Sequence, residues 1–95
     1  MNSAMQLVLV SGLSGSGKSI AIAVLEDAGY YCIDNLPLAM LLPLVEHLER
    51  EGYRRVAIAI DARSGASFAQ FPRLTEQLRE LGADLRVIFL EAKSL

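Results

Sequence analysis

Gly12-Leu13-Ser14-Gly15-Ser16-Gly17-Lys18-Ser19 stands directly behind the aliphatic run Leu7-Val8-Leu9-Val10 and ahead of a segment of helical character. The octet fits G-x-x-x-x-G-K-[ST], and a strand before it with a helix after it is the context a Walker A phosphate loop requires. A chance match in a chain of this length has odds of roughly one in several hundred. The pattern has a physical cause: backbone N–H groups must turn inward around a phosphate, and Gly12, Gly15 and Gly17 keep the tight positions clear of Cβ atoms. Lys18 is then expected on the β and γ phosphates as a catalytic group. Ser19 is expected on Mg²⁺, at a helix start whose positive dipole end also faces the anion.

Outward from this loop the chain alternates short apolar runs with longer segments of helical periodicity, the pattern of βαβ units and a parallel sheet. Strands are predicted at Leu7–Val10, Tyr30–Ile33, Val56–Ile60 and Arg86–Leu90. The unbroken apolar run Val56–Ile60 suits a strand covered on both faces and so a central place in the sheet. One helix opens at Lys18 and is stopped by Gly29. A second starts with Pro43 at its first position, carries Leu44 and Leu48, and closes at Gly52. A third follows Pro72 with Leu74, Leu78 and Leu81 at i, i+4, i+7 and ends at Gly82. The fold class read from this is α/β, a three-layer P-loop NTPase fold with a parallel sheet, incomplete at about four strands.

In open parallel sheets ligands sit beyond the carboxyl ends of the strands, and polar residues collect there in this chain. The first run leads to the phosphate loop, the second to Asp34-Asn35, the third to Asp61-Ala62-Arg63-Ser64 and the fourth to Glu91. Asp61, after Val56–Ile60, has the form of a Walker B aspartate that holds Mg²⁺ or polarises water; the competing reading is an Asp that starts a turn. Asp34 suits an acceptor-side base or ordinary turn chemistry before Leu36-Pro37. His47 reads as a solvated residue of a helix surface and Cys32 as an inert thiol in a strand. Tyr30 and Tyr31 are expected on opposite faces of their strand.

Composition narrows the classes of function. A chain of 95 residues with 53% hydrophobic and 21% charged content is one globular unit at most, with room for one modest core. Formal net charge is -2 and basic residues cluster no further than Arg54-Arg55, so no electrostatic footprint for nucleic acid is encoded in this segment. A single cysteine rules out an internal disulfide and fits a cytoplasmic location. Pro37 and Pro43 interrupt the stretch Leu36–Val45, which therefore reads as neither signal peptide nor membrane span.

Three blocks together resemble the RapZ family, the bacterial YvcJ-like P-loop nucleotide-binding proteins. They are Gly12–Ser19, then Leu25-Glu26-Asp27-Ala28-Gly29-Tyr30-Tyr31-Cys32-Ile33-Asp34-Asn35-Leu36-Pro37, then Asp61-Ala62-Arg63-Ser64 after a β run. The resemblance implies binding of ATP and GTP with weak ATPase and GTPase activity. It assigns Gly12, Leu13, Ser14, Gly15, Ser16, Gly17, Lys18 and Ser19 to ATP and Asp61, Ala62, Arg63 and Ser64 to GTP, although the Asn-Lys-x-Asp element of guanine-selective GTPases is absent from this sequence. It also implies regulation of RNA metabolism or of cell-wall precursor supply, with RNA or protein partners engaged through an additional C-terminal domain.

Family members are considerably longer, so residues 1–95 are expected to be the N-terminal part of a nucleotide-binding domain, or a truncated product, with later elements and the C-terminal domain missing. The alternatives are a P-loop small-molecule kinase, which the loop and Asp34 would also suit, and a fragment that turns nothing over.

Overall fold

The computed structural model describes residues 5–12, 15–61 and 70–90, which form an α/β unit with a four-stranded, wholly parallel sheet. The strands are β1 (Gln6–Gly12), β2 (Tyr31–Leu36), β3 (Arg55–Asp61) and β4 (Asp84–Leu90), in the order β2-β3-β1-β4. Helix α1 (Gly15–Asp27) joins β1 to β2. A 3-10 turn at Leu38–Met40 leads into α2 (Leu41–Arg50), and α3 (Phe71–Glu80) lies between β3 and β4. The prediction of a central Val56–Ile60 strand holds: Val56, Ala57, Ile58, Ala59 and Ile60 are all fully buried.

Strand alternation divides the apolar residues between two layers of helix. Leu7, Leu9, Val56, Ile58 and Ile60 face Leu41, Val45 and Leu48 of α2 and Phe71 and Leu78 of α3 in the larger core. Val8, Val10 and Ala57 face Ala21, Ile22 and Leu25 of α1 on the other side. Helices on both faces of a parallel sheet make the three-layer arrangement that the alternating pattern predicts. In α2 the buried residues fall at i, i+4, i+7, as do Phe71, Thr75 and Leu78 in α3, so each presents one stripe to the sheet.

All three helices end alike. The backbone N–H of Tyr30 reaches the carbonyl of Leu25 and that of Gly29 reaches Glu26; Tyr53 and Gly52 repeat this on Leu48 and Glu49, and Ala83 and Gly82 on Leu78 and Arg79. These are Schellman closures, which need a left-handed residue at the glycine. Gly29, Gly52 and Gly82 have φ of 93°, 90° and 93°.

Element starts differ from the sequence reading. Helix α1 begins at Gly15 rather than Lys18, and β4 at Asp84 rather than Arg86. Pro43 is the third residue of α2, not the first. The N–H groups of a first turn have no intrahelical partner, so proline at that position forfeits no hydrogen bond.

Candidate functional site

The carboxyl ends of β1, β3 and β4 come level with one another: Gly12 is in register with Asp61 on one side and with Leu90 on the other. Strand β1 stops at Gly12 and α1 starts at Gly15, so a strand precedes and a helix follows in the order that a phosphate loop demands. Leu13 and Ser14 of the motif lie outside the described residues, as do Ala62, Arg63, Ser64 and Glu91. Gly12, Gly15, Gly17, Lys18, Ser19 and Asp61 are brought to one edge of the sheet by strand ends and by the first turn of α1.

Lys18 makes a side-chain hydrogen bond at this edge. Its Nζ donates to the backbone carbonyl of Ile60, 3.3 Å away, in a partly buried position. Ile60 immediately precedes Asp61, so the ammonium stands at the end of β3, beside the backbone of the acidic residue. Lys18 is directed there by its place in α1, since Lys18, Ala21, Ile22 and Leu25 follow an i, i+3, i+4, i+7 stripe and the last three pack on the sheet. Ser19, next in the chain, is exposed. The first turn of α1 contains no acidic side chain, so nothing on the helix itself offsets the positive end of its dipole. At the opposite end, Arg55 Nη1 donates to the carbonyl of Ala28 at 3.4 Å, a cation placed where that dipole is negative.

Asp34 lies within β2 rather than in a turn after it. Pairing with β3 breaks between Ile33 and Leu36, and Asn35 takes a φ of 58°, a left-handed conformation that asparagine tolerates better than most residues. Beyond the break Leu36 rejoins β3 opposite Ile60, the residue whose carbonyl receives Lys18. Asp34 and Asn35 are both exposed, so this irregularity is a polar rim one strand away from the lysine.

The other candidates have structural surroundings. His47 is exposed in the last turn of α2. Cys32 is half-buried, with Sγ 3.5 Å from the carbonyl oxygen of Tyr30 and 3.7 Å from that of Ile22. Burial, and secondarily the charge of Glu26, hold its thiol above the ordinary value of 9.0, opposite to what a nucleophile needs. Tyr30 packs on the α1 side, while Tyr31 meets Tyr53 with ring centroids 4.7 Å apart. Among the described residues no group of three or more His, Cys, Asp or Glu side chains is placed to hold a metal, and no helix is long and apolar enough to cross a membrane. Sequence reasoning missed the Ile60 carbonyl as the partner of Lys18, because a backbone acceptor leaves no mark in residue identity.

Residues 5–95 match the model of the RapZ-like N-terminal domain. The chain belongs to this family. Among curated relatives of the RapZ-like chain, a nucleotide-binding protein of Thiobacillus denitrificans is 81% identical over 96% of the chain, which covers 33% of that relative. Nucleotide-binding proteins of an Azoarcus species and of Aromatoleum aromaticum are 65% and 60% identical over 94% of the chain, which covers 30% of each. The RapZ-like chain thus spans about a third of the length of these relatives.

Proposed function

We propose that this chain binds the triphosphate of ATP or GTP as its Mg²⁺ complex and hydrolyses it slowly. What carries the reading is the Lys18 ammonium standing 3.3 Å from the Ile60 carbonyl, at the strand edge to which Gly12 and Asp61 also come. A cation so placed, with a helix N-terminus free of acidic side chains behind it, suits a polyphosphate. Membership of the RapZ-like family and relatives named nucleotide-binding proteins support the same reading.

In this reading residues 12–19 wrap the phosphates, Lys18 bridges β and γ, and Ser19 and Asp61 hold the metal. Residues 61–64 form a second nucleotide segment, the one the resemblance gives to GTP. A bound Mg²⁺ would supply charge neutralisation for the triphosphate, to which Lys18 adds a fixed positive charge. Hydrolysis is slow because positioned phosphates still need charge compensation in the transition state, for which Arg63 is the nearest arginine in sequence to the strand edge. In the longer protein this nucleotide site serves regulation of RNA metabolism or of cell-wall precursor supply, with RNA or protein partners contacted outside these residues. A cytoplasmic location goes with that role.

The test is calorimetric titration with MgATP, MgGTP and AMP. The triphosphates are expected to bind at least tenfold more tightly than AMP, because recognition is through phosphate. AMP binding as tightly as the triphosphates would refute the reading.

A further inference from the structure

Asp34 and Asn35 interrupt an otherwise regular pairing of β2 with β3. Cys32 pairs with Ala57 and Ile33 with Ile58, yet the next pair is Leu36 with Ile60. Two residues of β2 therefore oppose the single Ala59 of β3, a bulge of a kind that is rare between parallel strands. Bulges bend a strand and re-aim its side chains, and they recur beside active sites.

Strand alternation fixes the faces on either side of the interruption. Ile33 and Leu36 pack into the larger core with Ile58 and Ile60, whereas Cys32 and Ala57 lie on the α1 side. Asp34, two residues after Cys32, shares that side with Ala59, two residues after Ala57. Asn35 is the residue in excess, held at a φ of 58°. The bulge thus keeps Leu36 in the core and leaves both polar residues exposed.

Two independent relations bring Asp34 to the height of Lys18. The first is the packing of α1, whose Ile22 carbonyl lies 3.7 Å from Cys32 Sγ. Helix α1 runs away from the carboxyl edge of the sheet while β2 runs toward it, so Lys18 lies four residues above Ile22 and Asp34 two residues above Cys32. Four residues of helix rise about 6 Å and two of strand about 6.6 Å, so the two side chains start level. The second relation is the Lys18 bond to Ile60, the residue directly after Ala59, which is the partner of the bulge. A carboxylate and an ammonium accordingly face one corner of the sheet, on the same side.

We propose that Asp34 is the general base of hydrolysis, the group that takes a proton from the water attacking the γ phosphorus. This deepens the nucleotide reading and rests on it. A base must stand within reach of the attacking water, and an exposed carboxylate level with the cation on the γ phosphate meets that demand. Attack forms a bond from the water oxygen to phosphorus and breaks the bond from phosphorus to the oxygen that bridges β and γ. The nucleoside diphosphate leaves with that electron pair. One water proton passes to an Asp34 carboxylate oxygen and then to bulk solvent, and the other stays on the released phosphate. Asp61, in register with Gly12, keeps its separate task at the metal.

The test compares the natural chain with Asp34→Asn, Asp34→Ala and Lys18→Ala, measuring phosphate release at saturating MgATP, calorimetric Kd and thermal unfolding on the same samples. Asp34→Asn is expected to release phosphate at least about tenfold more slowly, toward the roughly 10² to 10⁴ that a general base contributes, with Kd within about twofold and an unchanged thermal midpoint. Formate is expected to restore part of the rate of Asp34→Ala, saturably, because a small carboxylate can enter the space left by truncation; a structural role gives no such rescue. Equal rates for Asp34→Asn and the natural chain at equal Kd overturn the proposal and leave the nucleotide reading standing. So does absence of formate rescue, or a slower rate matched by an equally weakened Kd, which would make Asp34 a binding residue. A natural chain that binds MgATP no more tightly than AMP overturns the nucleotide reading itself. One that binds MgATP yet releases no more phosphate than Lys18→Ala overturns hydrolysis and its base together.

Discussion

Replacing Lys18 with alanine separates its two electrostatic tasks, because the free protein and the proposed nucleotide complex use the ammonium differently. In the free chain it donates one bond of 3.3 Å to the Ile60 carbonyl, long for a charged donor and only partly buried. Loss of that bond is expected to cost no more than about 1 kcal/mol of stability, the value of an ordinary hydrogen bond rather than of a short charge-assisted one. For a domain of this size the thermal midpoint then falls by less than about 8 °C. In the proposed complex the same group would make charge-assisted bonds to phosphate oxygens, together worth about 1.5 to 3 kcal/mol. Set against the bond surrendered by Ile60, the net loss of affinity is about 0.5 to 3 kcal/mol, or roughly 2- to 150-fold in Kd. Isothermal titration with MgATP measures this, and thermal unfolding of the same samples without nucleotide checks that Lys18→Ala is folded. Affinity should also fall less steeply with added salt in the variant, since one fewer cation meets the phosphates. Equal Kd values for the natural chain and a folded Lys18→Ala variant would refute the assignment of Lys18 to the triphosphate.

Gly52 has a φ of 90° with open space where a Cβ would lie, so Gly52→Ala tests backbone strain alone; a loss of about 1 kcal/mol is expected in urea unfolding, and an unchanged midpoint would contradict the strain argument. Leu78 is fully buried between α3 and the sheet, and Leu78→Ala should cost about 2 to 5 kcal/mol by the same measurement. Cys32 is raised above 9.0 by burial and then by Glu26, so its alkylation should show an inflection above pH 9.0, which Glu26→Gln lowers without removing; an inflection below 9.0 would count against the assignment. Because the folded value lies above the unfolded one, the neutral thiol's contribution to stability is complete below about pH 9 and is lost as pH rises through the folded value. Steady-state hydrolysis of MgATP by this chain should stay below about 1 s⁻¹, the lower limit for ordinary kinases, and turnover within the kinase range would overturn the view that charge compensation is lacking.

Helix ends were legible in the sequence and strand neighbours were not, for a physical reason. Gly29, Gly52 and Gly82 stand directly after helical periodicity, where a residue without a Cβ enters the left-handed region at little cost, so residue type in that position signals the geometry. Helix starts have no such demand: Gly15 and Pro43 stand in first turns whose N–H groups have no partner within the helix in any case, so neither propensity nor a missing donor marks the boundary. The parallel order β2-β3-β1-β4 depends on crossover handedness and packing, which hydrophobic periodicity does not encode. Asp-Asn before Leu-Pro is turn chemistry and predicts that Asp34 leaves its strand; the structure keeps β2 through Leu36 and has the asparagine as one left-handed residue instead. At the candidate site the phosphate-loop residues were legible as a motif. The Lys18 contact was not, since its partner is a carbonyl that every residue possesses.

That contact nevertheless follows from side chains several residues away. On the α2 and α3 side the sheet presents Leu7, Leu9, Val56, Ile58 and Ile60, whereas under α1 it presents Val8, Val10 and Ala57. Smaller residues let a helix approach a sheet more closely, and close packing leaves that helix little freedom to roll. Since Lys18 shares the stripe of Ala21, Ile22 and Leu25, the hydrophobic seating of α1 sets the direction of its first turn. An alanine in β3 and an isoleucine one turn after the lysine therefore aim a charge toward the end of the neighbouring strand. The candidate site is thus extended into the core by packing: the motif supplies the cation, and the apolar spacing that begins at Ala21 decides where it stands.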